Sequence, residues 1–408
     1  MLFVTGLPPK KCETRATLRK KLKENDMRAF ILVIDGFGIG AMPDCRLFGD
    51  FGANTLKNIR SAYDLNLPNL QDMGLYCIEG TYNDDREPIG AFARLEELSK
   101  GKDTTVGHWE MAGVVTSEPL PTFPKGFPKS FIATLEKELG TKILCNKPYS
   151  GTEVIKDYGE EHLKTGYPIV YTSADSVLQI AVHMNKYSLE QLYEMCEKAR
   201  ALCTGKYGVG RIIARPFAGE YPFQRTADRK DFSLNPPAKT LLDFVKDAGM
   251  QSVAVGKIEY IFNGQGISRS IHTTSNLDGL NKTLEIAKED FDGLVFVNLV
   301  DTDMKYGHRR DVFGYAEALE EIDAKVGELM KLLKHDDVLY VTGDHGCDPT
   351  HKAHTDHTRE YTPLLVYGCD VVPTNLGTLK GFNVICDTVK EQLGIGAGAK
   401  SVWEKITR

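Results

Sequence analysis

At 408 residues, the chain has room for two domains or for one large domain with an insertion, and its 42% hydrophobic content is ordinary for a globular protein. A net charge of −6, with no extended acidic or basic block beyond the N-terminus, removes any electrostatic reason to expect nucleic acid or an anionic membrane as a partner. No apolar run approaches the roughly 20 residues of a membrane span, and the composition leaves the oligomeric state open.

Residues 1–26 stand apart, with Lys10, Lys11, Arg15, Arg19, Lys20, Lys21 and Lys23 outnumbering the acids and no apolar core of a secretory signal. A buried-strand pattern, MRAFILVIDG, begins at Met27. The expectation is that residues 1–26 are a dispensable extension or a start-site artefact outside the fold, with an organelle-targeting segment or regulatory arm as the alternatives. Nine cysteines are scattered without CxxC pairing, as expected of reduced thiols in a cytoplasmic protein.

From Met27 to residue 118, and again from 236 to 408, apolar strands alternate with helical patterns, which predicts an α/β core with a mostly parallel sheet. The first strand, FILVIDGFG, closes at Asp35. SKGKDTTVGHWEMAGV then sets Thr104 and Thr105 in a polar loop before a helix expected to begin near His108. A hydroxyl there needs a base or a metal ion to become a nucleophile. Pro and Gly clusters at 119–128 and 235–237 bracket a stretch with its own helix, SLEQLYEMCEKARALC, and its own strands, YPIVYTSAD and GRIIARPF. Residues 119–235 are therefore expected to form an inserted α/β cap.

The returning core supplies LVFVNLVDTDMKYGH, which reaches Asp301, Asp303 and His308, then an amphipathic helix from Val312 to Leu333, then VLYVTGDHG, which reaches Asp344 and His345. Strands of this composition lie inside a sheet, and ligands of such sheets bind beyond the strands' carboxyl ends, so carboxylates gathered there call for a cation. The segment GDHGCDPTHKAHTDHTREYTP packs His345, His351, His354 and His357, four of the ten histidines, with Asp344, Asp348 and Asp356 into one Gly- and Pro-bearing loop. Core packing does not explain such a cluster, whereas metal ligation does. The candidates sort into Asp303, His308 and His357 for one ion and Asp35, Asp344 and His345 for another. Mixed imidazole and carboxylate donors suit manganese, zinc or iron, and a pair of such ions serves phosphoryl transfer.

GKDTTVGHWE, YTSADSVLQIA, GRIIARPF, VGKI, NLVDTDMKYGHRRD, DHGCDPT and TDHTREYTPLLVYG together resemble the phosphopentomutase family of the alkaline phosphatase superfamily, from Met27 to near the C-terminus. The resemblance implies an alkaline-phosphatase-like fold and an isomerase that moves phosphate between O1 and O5 of ribose or 2-deoxyribose, joining nucleoside catabolism to central carbon metabolism. It implies two manganese ions on the two ligand sets, with the Thr104 side chain added to the second, and phosphorylation of Thr104. It further implies that Ser173, Asp175, Val177, Arg211 and Lys257 hold the pentose phosphate, and that a sugar bisphosphate such as ribose 1,5-bisphosphate or glucose 1,6-bisphosphate activates the enzyme. Three departures stand out, the first being the extension before Met27, which is not a family feature. DGFG after the first strand lacks the serine that many members carry and is similar to cofactor-independent phosphoglycerate mutase. The loop from His345 to His357 is one residue longer than usual, with His351 and His354 as extra imidazoles. The rival expectations are a phosphoglycerate mutase or phosphatase on the same metals, and a metal-dependent binding protein without turnover.

Overall fold

A computed structural model describes residues 26–82, 86–173 and 175–408; the expectation for residues 1–26 falls outside them apart from Asp26. Fourteen strands form two sheets among the described residues. The larger sheet contains β1 (Arg28–Ile34), β2 (Ala91–Glu96), β9 (Gln251–Val255), β10 (Arg269–Ile271), β11 (Gly293–Leu299), β12 (Val338–Thr342), β13 (Thr362–Gly368) and β14 (Thr374–Lys380), in the order β10-β9-β11-β1-β12-β13-β2-β14.

Five of its seven pairings are parallel and two, those of β13 with β12 and with β2, are antiparallel, so the sheet is mostly parallel as expected. Every residue of β1 is buried, and its side chains alternate between two cores. Phe30, Leu32 and Ile34 face the helices Thr55–Ala62, Asn276–Ala287 and Val312–Leu332. Ala29, Ile31 and Val33 face Thr104–Met111, Leu241–Asp247 and Asn383–Gln392. Because both faces are covered, the strands read as continuous apolar runs.

Register brings the three acid-bearing strands together. In β1, Val33 pairs with Asn298 of β11 on one side and Thr342 of β12 on the other, and Ile34 pairs with Leu299. The chain therefore leaves all three strands at one level, and Asp35, Asp303 and Asp344 follow at the same end of the sheet.

The smaller sheet contains β3 (Leu144–Pro148), β4 (Ile169–Thr172), β5 (Val177–His183), β6 (Arg211–Ala218), β7 (Gln224–Arg225) and β8 (Lys230–Ser233). Its order is β3-β4-β5-β6-β7, with β8 also on β6. The helix Leu189–Leu202 packs on one face through Leu192, Cys196 and Ala199, and Gly151–Thr165 on another through Val154 and Ile155. Leu189–Leu202 starts where Ser188 accepts from the Gln191 amide while Gln191 returns a bond to the Ser188 N–H. The eight cysteines among the described residues carry no disulfide. No helix there is long and apolar enough to cross a membrane.

Candidate metal centre

Asp35 sits one residue past β1, fully buried, with its backbone N–H on Leu299 O. Gly36 follows at φ +80°, and a Cβ there would meet Cys347 Cβ at 2.9 Å and Asp303 Cβ at 3.3 Å, so the turn that aims Asp35 requires glycine. Asn298 Nδ2 donates to Asp35 Oδ2 at 2.8 Å, and Thr302 Oγ1 donates to the Asp35 carbonyl at 2.6 Å.

Asp303 and His308 are five residues apart, a spacing that neither an α-helix nor a strand aligns. Residues Thr302–Gly307 wind as a π-helix, in which the His308 N–H bonds to Asp303 O at 3.1 Å. The wider turn puts both side chains on one side, with His308 Nε2 3.3 Å from Asp303 Oδ2. His357 arrives from the long loop, with Nε2 3.4 Å from Asp303 Oδ1. Asp344 and His345 follow β12; His345 Nε2 stands 3.4 Å from Asp35 Oδ1 and 3.3 Å from Asp344 Oδ2.

Thr104 is the first residue of its helix. The structure corrects the expected start near His108, because the Asp103 side chain accepts the Val106 N–H and caps the helix four residues earlier. Thr104 Oγ1 lies 3.2 Å from His345 Nε2 and 3.5 Å from Asp35 Oδ1. The helix is pressed against the centre at Gly107, where a Cβ would run into the Asp344 carbonyl.

Two groupings of possible ligands emerge from this geometry. Asp303, His308 and His357 form one, and Asp35, Asp303 and His345 the other, with donor atoms in each within 4.8 Å of one another. Asp303 thus stands between the groups, and Asp344 joins the second through His345. Asp301 and Asp348, counted among the acids of these segments, are occupied elsewhere. Asp301 Oδ2 accepts the Asn276 N–H and the Lys305 ammonium, and Asp348 accepts from Asn54, Asn58 and Thr350.

Protonation and burial support a cation. His308 Nδ1 points at the Thr355 carbonyl at 2.6 Å and His345 Nδ1 at the Gly346 carbonyl at 3.0 Å, so each keeps its proton there and turns the Nε2 lone pair toward the carboxylates. Asp303 Oδ1 and Asp344 Oδ2 are buried with no hydrogen-bond donor. Lone pairs and carboxylate oxygens facing one another across 3.3–3.4 Å repel unless a positive charge lies between them.

The titration behaviour tells the same story. Burial and the Asp344 charge push the Asp35 carboxyl up. Burial opposes ionisation of Asp303 as well, but His357 and His308 hold it well below the usual range. Burial would lower His308, yet the Asp303 carboxylate raises it to about 9, and Asp344 and Asp35 likewise raise His345 against burial. The cavity draws positive charge, which a proton or a metal ion supplies.

The remaining candidates gather in two places. Lys257 precedes the helix Ile258–Ile261; burial lowers its ammonium, Asp35 and Asp303 oppose that, and Arg211 and Arg229 reinforce it. Arg211 opens β6 opposite Val177 of β5, 4.0 Å from Asp175 and 3.6 Å from Asp231. Ser173 Oγ accepts the Asp175 N–H at 3.3 Å. Four of the five expected substrate residues thus collect at one end of β5 and β6. The Val177 side chain is buried and offers only its backbone.

Comparison with known proteins gives the family. A family model described as the metalloenzyme superfamily matches residues 27–397. A phosphopentomutase of Acetivibrio thermocellus is 52% identical over 375 residues, 91% of this chain and 96% of that protein. The chain belongs to the phosphopentomutase family. A phosphopentomutase of Clostridium kluyveri is 48% identical over 390 residues, 93% of this chain and 100% of that protein. Among solved structures, the PH0037 protein of Pyrococcus horikoshii superposes with a TM-score of 0.50 at 15% identity, covering 92% of this chain and 99% of that one, which speaks for the fold alone. The α/β, alkaline-phosphatase-like fold expected from the sequence is the fold of this family member.

Two residues of the centre escaped the sequence reading. Asn298 is the one polar side chain inside the run LVFVNLV, a break in a buried strand that could have flagged it. His108 follows Thr104 by four residues, one helical turn, and its Nδ1 donates to the Thr104 carbonyl at 2.8 Å. Its Nε2 faces Asn298 Nδ2 at 3.3 Å.

Proposed function

We propose that this chain is a phosphopentomutase that interconverts ribose 1-phosphate, and its 2-deoxy counterpart, with the 5-phosphate through a phosphothreonine at Thr104 and a 1,5-bisphosphate. The observation that carries the reading is the position of Thr104 Oγ1, 3.2 Å from His345 Nε2 and 3.5 Å from Asp35 Oδ1, on the first residue of an eight-residue helix. In this reading Asp303, His308 and His357 hold one ion, and Asp35, Asp344, His345 and the Thr104 side chain hold the other. Two manganese ions bound there would neutralise charge developing on the bridging oxygens.

The residues of the chain then divide the work. Asp103 takes up the Val106 N–H, which leaves the first N–H groups of the helix, and the positive end of its dipole, for the phosphoryl oxygens. His108 fixes the first turn by holding the Thr104 carbonyl. In transfer, the bond from phosphorus to Thr104 Oγ1 breaks as one forms to the free hydroxyl of the pentose phosphate, and the hydroxyl proton ends on Oγ1. The bisphosphate turns, and its other phosphoryl group returns to Thr104. A sugar bisphosphate, such as ribose 1,5-bisphosphate or glucose 1,6-bisphosphate, primes the unphosphorylated enzyme.

Residues 119–235 act as a cap over the core formed by 27–118 and 236–408. Arg211 and Lys257 bind phosphate, while Ser173, Asp175 and the Val177 backbone take the sugar hydroxyls. Excluding water matters because an open phosphoenzyme hydrolyses.

The test is conversion of ribose 1-phosphate by manganese-loaded protein, with and without catalytic ribose 1,5-bisphosphate, while free phosphate is followed. Bisphosphate-stimulated isomerisation without phosphate release is expected, and Thr104→Ala should lose it at least a thousandfold while keeping its fold. Phosphate release alone, or full activity in Thr104→Ala, overturns the reading.

A further inference from the structure

The long loop holds two imidazoles that phosphoryl transfer does not use. His351 and His354 fold back over Asp50, and donor atoms of the three residues lie within 4.8 Å of one another. The two rings stand 4.7 Å apart. His354 Nε2 donates to Asp50 Oδ1 at 2.6 Å. His351 Nε2 is buried and has no hydrogen-bond partner, although the loop beyond it is exposed at Lys352, Ala353 and Thr355. Asp50 is fully buried and fixed by the Arg359 N–H at 2.8 Å and the Lys102 ammonium at 3.2 Å from each oxygen.

We propose that Asp50, His351 and His354 form a third divalent-cation site, separate from the dinuclear centre. Two imidazoles and one carboxylate, with no thiolate, suit a borderline ion such as zinc, cobalt or nickel, with water completing the shell. The local charge allows it, because Lys102 is shared with Asp356 at 3.6 Å, so one ammonium stands against two carboxylates. Around an ion with bonds of about 2 Å, tetrahedral donors lie roughly 3.3 Å apart. The present spread therefore closes through small shifts of the loop. Loading moves the His354 proton from Nε2 to Nδ1, and the 3.2 Å contact that Nδ1 now accepts from the exposed Asp356 amide passes to water. The orphaned His351 nitrogen gains the partner it lacks. The bound ion ties the loop, already held by Arg310 Nη2 on the Lys352 and His354 carbonyls, to the turn at Asp50.

The experiment counts cobalt(II) bound by the chelator-stripped full chain, by elemental analysis after desalting and by the visible cobalt spectrum. It is run in a Cys369→Ser background, because His335, Cys369 and Asp370 form an exposed cluster whose donor atoms also lie within 4.8 Å of one another and would compete for the ion. The expected result is that His351→Gln/His354→Gln binds one equivalent fewer than the parent and loses one component of the spectrum. Because the readout is a difference of one, it stands or falls independently of the ligand assignment at the dinuclear centre. Equal counts in the two proteins overturn the proposal. Should the double variant not fold, His351→Gln alone decides, since its Nε2 has no hydrogen bond to lose: retention of the full count in that variant overturns the site and loss of one equivalent supports it.

Discussion

The Asn298 side-chain amide holds Asp35 in place, with Nδ2 2.8 Å from Oδ2 and its second hydrogen facing His108 Nε2 at 3.3 Å. His108 in turn grips the Thr104 carbonyl, so one amide links a proposed metal ligand to the proposed nucleophile's helix. Partners of this kind orient metal ligands, and losing one lowers affinity about 10–100-fold. Asn298→Ala should therefore weaken manganese binding by that factor and leave a turnover defect that excess manganese largely restores. Unchanged manganese dependence in the variant would remove Asn298 from the role.

Removal of metal is expected to loosen the whole sheet end. Asp303 Oδ1 and Asp344 Oδ2 are buried without donors, and Asp35, Asp303 and Asp344 crowd one cavity. A ligand that binds only the folded state stabilises it by about 2.7 kcal/mol at a hundred times its Kd. Chelation should lower Tm by several degrees, and manganese should restore it. The pH sign follows from His308, raised to about 9, since an ion must displace its proton. Apparent metal affinity should fall as pH drops below about 9, by up to about tenfold per unit for one exchanged proton. Titration calorimetry at pH 7 and 8.5 would measure this, and a pH-independent affinity would contradict it.

The strand runs that end in Asp35, Asp303 and Asp344 were legible because strands buried on both faces read as short, continuous, β-branched-rich apolar runs, and parallel register aligns their ends. The Asp303–His308 pair was weak in sequence because its five-residue spacing fits no common periodicity, and only the π-helical winding joins the two side chains. The helix start at Thr104 was displaced because Asp103, an ordinary charged residue in the sequence, serves as its cap. Asp301 and Asp348 look like ligands in sequence, yet each is consumed by local backbone and side-chain donors. Contacts between distant segments decide such roles, and one sequence does not display them.

Arg28 offers a stability test away from the centre. Its guanidinium is fully buried, bonded through Nε and Nη2 to both Asp337 oxygens at 3.0 and 2.6 Å. Its remaining donors satisfy the Ile286, Ala287 and Glu289 carbonyls where the helix Asn276–Ala287 ends. Arg28→Met removes five hydrogen bonds at once and leaves the buried Asp337 carboxylate without its charged partner, for an expected cost of about 3–5 kcal/mol in urea unfolding. Arg28→Lys should also destabilise, because an ammonium cannot reproduce the fork. A cost below about 1 kcal/mol for Arg28→Met would show that the pair does not hold the helix end to the sheet.

Glu360 gives a second pH dependence of opposite origin. It is fully buried, takes N–H bonds from Gly40 and Thr55 and hydroxyl bonds from Thr55 and Thr358, and burial lifts its carboxyl to about 7 despite the Thr358 and Thr55 bonds. A raised acid pKa means that the folded state holds the proton more tightly than the unfolded chain, whose carboxyl titrates near 4.5. Its contribution to stability is thus complete below about 4.5 and is lost as pH rises through about 7. At about 1.4 kcal/mol per unit, the largest change is about 3 kcal/mol. Glu360→Gln carries no titrating proton, so in metal-stripped protein the stability of wild type relative to the variant should be greater at pH 5 than at pH 8. Equal differences at the two pH values would mean that Glu360 is ionised throughout and that its four hydrogen bonds outweigh its burial.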